Sequence, residues 1–204
     1  GLRIGCIAQR RHQRAADHHA IRMRSHRRRT GGIADAEAGI HRDRRHRAQL
    51  GISLGDIVDD VPALLPAVRR ETERLGVPWL HVPGNHDVDP DAQDDAGSLR
   101  SFRRGIGPDT MVRETALANV VVLDDVIALP GRKPAYIGGF RDDQFAQLEA
   151  RLPALRKDRL LVVALHIPLF EEPVKDSFRD GDRERLFALL RDFPNVLVVS
   201  AHSH

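Results

Sequence analysis

The residues in this chain able to do chemistry are few and widely spaced. They are Asp56 after Gly55, Asn85 and His86 within Gly84-Asn85-His86-Asp87, His166 ahead of Ile167-Pro168, and His202 and His204 in Ala201-His202-Ser203-His204. One carboxylate, one amide oxygen and several imidazoles form a donor set between hard and soft, suited to divalent first-row metals such as Mn, Fe or Zn. Magnesium alone would call for more oxygen ligands. His202 and His204 stand two residues apart, so an extended backbone would turn both rings to one face, as ligands of neighbouring metals require.

Such residues need elements to bring them together, and most of them follow an apolar run. Leu50 to Leu54 reads as a buried strand ending at Gly55-Asp56, and Val77 to Val82 as a second strand ending in the Asn85-His86 loop. Leu160 to Leu165 precedes His166, and Val196 to Val199 precedes His202. A fifth run, Ala118 to Asp124, carries no such residue beyond its terminal Asp124-Asp125, which reads as a solvated turn. Between the strands, the spacing predicts helices over Val61 to Leu75, Ser98 to Arg104, Arg141 to Leu155 and Asp182 to Arg191, with Asp89 to Asp95 as a surface loop. All-apolar strands alternating with helices imply an α/β fold whose sheet is covered on both faces. In such folds, polar residues just past the strand ends converge in one crevice.

The four motifs Gly55-Asp56-Ile57-Val58-Asp59, Gly84-Asn85-His86-Asp87, Leu165-His166-Ile167-Pro168 and Ala201-His202-Ser203-His204 resemble those of the calcineurin-like metallophosphoesterase superfamily, in particular the catalytic domain of its bacterial members. The resemblance runs from Leu50 to the last residue. It implies an αββα sandwich, here incomplete, and a phosphoester hydrolase with a two-metal site. By that resemblance Asp56 would bridge both ions, Asn85, His166 and His202 would bind one of them, and His204 the other. His86 would contact the phosphate or protonate the leaving oxygen, with Asp59 as the carboxylate that orients it. Two cations about 3.5–4 Å apart acidify a water and hold the phosphate oxygens as charge develops.

The chain departs from that pattern in three places. The superfamily's earliest motif is a strand ending in Asp-x-His or Asp-x-Gln. Asp17-His18-His19 matches it literally, but the Arg10-Arg11-His12-Gln13-Arg14 before it is no buried strand. Ala201 stands in place of a turn glycine, and Asp60 stands where some members carry Arg. A site short of two ligands raises an alternative: a catalytically impaired remnant that keeps the fold and at most one metal.

Charge divides the chain in two. Among the 204 residues, Lys and Arg number 32 against 29 Asp and Glu, yet residues 1 to 48 hold thirteen arginines and only four acidic residues. Six of the eleven histidines lie there as well, without apolar periodicity. We therefore expect residues 1–48 to be a basic, irregular or disordered segment and 49–204 the phosphoesterase domain. The abrupt change at Leu50 has the character of a reading-frame shift in GC-rich coding DNA; a polyanion- or nucleic-acid-binding arm is the other reading. The sequence ends at His204, where related domains continue, so truncation is expected.

Several functions are set aside at this stage. The single cysteine, Cys6, excludes an intrachain disulfide and a Cys-rich zinc module. No apolar run reaches the roughly 20 residues of a membrane span, and no apolar signal-peptide core opens the sequence. The expected partner is a phosphoester substrate, with no membrane. Asp89, Asp91, Asp94 and Asp95 lack the glycine and glutamate of a calcium loop, and His81, inside a strand, reads as a packed core or strand-surface histidine rather than a ligand.

Overall fold

A computed structural model describes residues 4–7, 48–169 and 178–202. Asp17, His19 and His204, and the basic segment from 8 to 47, lie outside the described residues.

Two sheets stacked face to face form the centre. The first has three parallel strands in the order β1 (Ile4–Ile7), β2 (Leu50–Leu54) and β3 (Trp79–Val82). The second runs β4 (Met111–Glu114), β5 (Ala118–Val122), β8 (Leu160–Ala164) and β9 (Val196–Val199), with only β4 antiparallel to its neighbour. A small antiparallel pair, β6 (Val126–Ala128) with β7 (Tyr136–Gly138), stands apart.

The alternation of side chains along each strand builds the layers. From the first sheet Leu50, Ile52, Leu54, Leu80 and Val82 meet Ala118, Val120, Val122, Val162 and Ala164 of the second, all buried. The residues between them on β5 and β8, Val121, Leu161 and Val163, point to the opposite face. There they pack on Phe145 and Leu148 of α4 (Asp142–Arg151) and Leu186 and Leu190 of α5 (Asp182–Leu190). Across the molecule α1 (Leu65–Glu73) packs through Leu65 and Val68 on Leu99 and Phe102, Phe102 lying in α3 (Arg100–Gly105) just after the single turn α2 (Asp95–Ser98). Thr72 of α1 reaches His81 on β3 at 3.4 Å. The order is helix, sheet, sheet, helix, the sandwich expected of the fold class.

Most of the expected elements form, with shifted ends. The Val61 to Leu75 helix begins as a 3-10 turn at Pro62–Leu64, and Pro66 sits in the first turn of α1, where its missing N–H costs nothing. Leu64 and Leu75, expected on its apolar face, are exposed. The acid-rich loop ends in a cap: Asp94 accepts the Gly97 N–H at 2.7 Å. The strand β1 was not expected, and it lies inside the basic segment, running parallel to β2 with Ile7 opposite Ser53. Strands β4, β6 and β7 were not expected either.

Candidate metal centre

The site lies where the parallel strands of both sheets end. Past β2 the chain turns sharply, with φ of 91° at Gly55 and 52° at Asp56. Asp60 (58°) and His202 (67°) are the other non-glycine residues with positive φ among the described residues, and both belong to this site. Such conformations are disfavoured for residues with a Cβ and collect where side chains must be aimed. Past β3 comes the Asn85-His86 loop, past β8 His166, and past β9 His202.

Close approach explains the two motif glycines. A Cβ on Gly55 would lie 2.4 Å from His166 Nδ1, and one on Gly84 2.3 Å from the Asp56 nitrogen and 2.4 Å from its Oδ1. The loops carrying Asp56, Asn85 and His166 therefore touch backbone to side chain. Asp87 ties two of them together, its Oδ1 accepting Val58 N–H at 2.9 Å and its Oδ2 accepting Gly84 N–H at 2.8 Å. Burial pushes its carboxyl up to about 7, although the N–H donors pull the other way.

His166 is wholly buried, and its Nδ1 donates to the Leu54 carbonyl at 2.7 Å. A carbonyl can only accept, so Nδ1 carries the hydrogen and Nε2 keeps its lone pair. That lone pair faces Asp56 Oδ1 at 3.4 Å, Asn85 Oδ1 at 3.1 Å and His202 Nδ1 at 3.0 Å. Burial holds the imidazole below its ordinary pKa, while Asp56 opposes the shift. One atom each of Asp56, His166 and His202 lie within 4.8 Å of one another. Oxygen acceptors aimed at an imidazole lone pair repel unless a cation stands among them, so the donor set fits a divalent metal, and the Leu54 carbonyl is the kind of outer partner that fixes a ligating histidine.

A second cluster adjoins the first. His86 Nδ1 is 2.8 Å from Asp60 Oδ1 and 4.0 Å from Asp59 Oδ1, while the His86 N–H donates to Asp56 Oδ1 at 3.1 Å. The carboxylate nearest the ring is thus Asp60 rather than the expected Asp59. The left-handed turn at Asp60, closed by its N–H to the His86 carbonyl at 3.1 Å, brings it back over the histidine.

A profile of the calcineurin-like phosphoesterases matches residues 15–204. The chain belongs to that family. The crystal structure of a dimetal phosphatase from Danio rerio is similar in fold, with a TM-score of 0.54 and 20% identity over 77% of this chain and 67% of that one. No curated protein sequence resembles the chain closely enough to count as a match. Family membership makes this a metal-dependent phosphoesterase of the calcineurin-like type.

Of the expected site residues, the structure brings Asp56, Asn85, His166 and His202 together and sets His86 beside them, with Asp59 further from the ring. Sequence reasoning missed three carboxylates that shape the site. Asp60 follows the expected Asp59, Asp87 closes a motif already singled out, and Asp125, expected in a solvated turn with Asp124, is wholly buried, as is Asp124. His81 is buried as expected, against Trp79 and Thr72. Among the described residues, no helix is long and apolar enough to cross a membrane.

Proposed function

We propose that the chain hydrolyses a phosphoester at this strand-end crevice, with Asp56, Asn85, His166 and His202 holding one divalent cation and His86 addressing the phosphate. The observation that carries this reading is the His166 ring, fixed by Leu54 so that its Nε2 lone pair meets Asp56, Asn85 and His202. When bound, a divalent cation supplies Lewis acidity, polarising a phosphoryl oxygen and lowering the pKa of water. Asp56 contributes the negative charge that such an ion needs. Asp60 fixes His86 through Nδ1, so Nε2 is the ring nitrogen we assign to the phosphate, donating a hydrogen bond or passing a proton to the leaving oxygen. Asp59 Oδ1 lies 4.0 Å from the same nitrogen.

A second reading, a catalytically impaired relative holding at most one metal, rests on β1. It runs parallel to β2 with Ile7 beside Ser53, and the sequence after it reads Ala8-Gln9-Arg10-Arg11, with no carboxylate before Asp17.

Assays on a nitrophenyl phosphodiester and monoester with added manganese, beside elemental analysis after dialysis, separate the two. Metal-dependent turnover with no more than one tightly held ion supports the first reading. Retained metal without turnover under Mn, Fe or Zn favours the second. Two ions at full occupancy would bring Asp17, His19 or His204 into the site and overturn the single-ion stoichiometry.

A further inference from the structure

Asp124 and Asp125 follow β5 and are both wholly buried. Asp124 has an evident partner, the Arg141 guanidinium at 2.5 Å. Among the described residues, no cationic side chain bonds to the Asp125 oxygens. Its Oδ1 accepts the His166 N–H and its Oδ2 the Ile167 N–H, each at 2.9 Å.

These bonds stand where the sheet ends. Up to that point β8 is paired by backbone on both sides, with Leu123 donating to Ala164 and Leu165 donating to Val199. The next amides, of His166 and Ile167, take a side chain from 41 and 42 residues away instead. Asp125 is held in turn, since its own carbonyl accepts the Gly139 N–H at 3.1 Å. Two buried N–H groups in series need two acceptors, and a carboxylate is the side chain that offers one to each.

We propose that Asp125 is a positioning residue of the metal centre: its carboxylate sets the backbone of His166 so that the ring reaches both the Leu54 carbonyl and the metal ligands. This rests on the reading of His166 as a ligand. The ring's direction is then fixed twice, at its Nδ1 by Leu54 and at its backbone by Asp125. Outer partners of this kind commonly cost about 10–100-fold in metal affinity when lost.

The test uses Co²⁺ as the probe on the full chain, reading its dissociation constant and its visible d–d absorption, with the thermal midpoint of the metal-free protein beside them. Asp125→Asn keeps one acceptor and should weaken Co²⁺ binding about 10-fold and alter the d–d bands; Asp125→Ala loses both and should approach 100-fold. Should the alanine variant not fold, the near-isosteric asparagine carries the test. Asn119→Ala is the control, a buried polar side chain near the start of β5, at the end away from the site, whose Nδ2 donates to the Arg156 carbonyl at 2.8 Å. It should lower the thermal midpoint and leave the cobalt spectrum unchanged. Native Co²⁺ affinity and bands in Asp125→Asn, with His166→Asn impaired, would overturn the positioning role and leave the metal site standing. Native binding in both variants, or none in the unsubstituted chain, would overturn the metal site and this proposal together.

Discussion

The Leu54 carbonyl and the His166 Nδ1, 2.7 Å apart, join the ends of the two sheets. Leu54 closes β2 in the first sheet and His166 follows β8 in the second, so the hydrogen bond that orients the candidate ligand also bridges the sandwich. Metal affinity and inter-sheet packing are therefore coupled at this point.

Removing the His86 ring should separate chemistry from metal binding. His86→Ala is expected to lower turnover by about 10²–10⁴, the range for a positioned acid, with metal content unchanged. Asp56→Asn should lose both at once, since a neutral amide cannot balance a divalent charge. Metal analysis beside a nitrophenyl phosphoester assay checks the pair, and metal loss in His86→Ala would reassign that residue.

The two acids near His86 should differ in their effect. Asp60→Asn removes the carboxylate 2.8 Å from Nδ1, whereas Asp59→Asn removes one at 4.0 Å. Turnover should fall more for Asp60→Asn, read as kcat in the same phosphoester assay. Equal effects, or the reverse order, would return the orienting role to Asp59.

Gly84→Ala tests the close approach of the loops. The added Cβ would meet the Asp56 backbone nitrogen, which cannot swing away as a flexible side-chain tip can. We expect a stability loss of about 1–3 kcal/mol by denaturant titration, in the range of overpacked sites, together with weakened metal binding.

Arg141 lies between Asp124 and Asp109, at 2.5 and 2.9 Å. Burial raises the Asp124 carboxyl to about 7 even with the guanidinium beside it. Arg141→Met would strand both acids, and the loss should approach the roughly 3–5 kcal/mol typical of breaking a buried pair. Asp124, deprived of the guanidinium that pulls its raised pKa down, would bind a proton still more readily than in the unfolded chain, so the deficit should shrink as pH is lowered from 8 towards 5.

His81 gives a pH dependence of opposite sense. Burial, with Arg69 nearby, lowers its pKa to about 4 from the ordinary 6.5. The unfolded chain binds this proton first as pH falls, so the stability present above about 6.5 is lost progressively down to about 4. His81→Gln should flatten that part of the curve, as followed by thermal midpoints between pH 7 and 4.

What the sequence made legible is what local pattern encodes. The apolar runs at β2, β3, β5 and β8, and the periodic faces of α4 and α5, bury what their spacing said they would, whereas β9 forms with Val196 and Leu197 exposed. The motif residues fall at strand ends because an α/β fold puts such residues there. Strand β1 was hidden because four residues ahead of an arginine-rich stretch carry no period, and its partner β2 lies more than forty residues on. Strands β6 and β7 are three residues each, too short for alternation to register. Asp125 was misread because two consecutive acids after a strand suggest water; only the distant amides of His166 and Ile167 give that carboxylate a reason to be buried. The choice between Asp59 and Asp60 turned on one backbone angle, which residue type does not specify.

Asp87 binds the amides of Val58 and Gly84, one from each of the loops that carry Asp56 and Asn85. Neither amide can meet solvent without breaking a bond to the same side chain, so the two loops open as one cooperative unit. In native-state hydrogen exchange the protection of Val58 and Gly84 should therefore rise and fall together, and a ligand that steadies either loop should slow exchange in both.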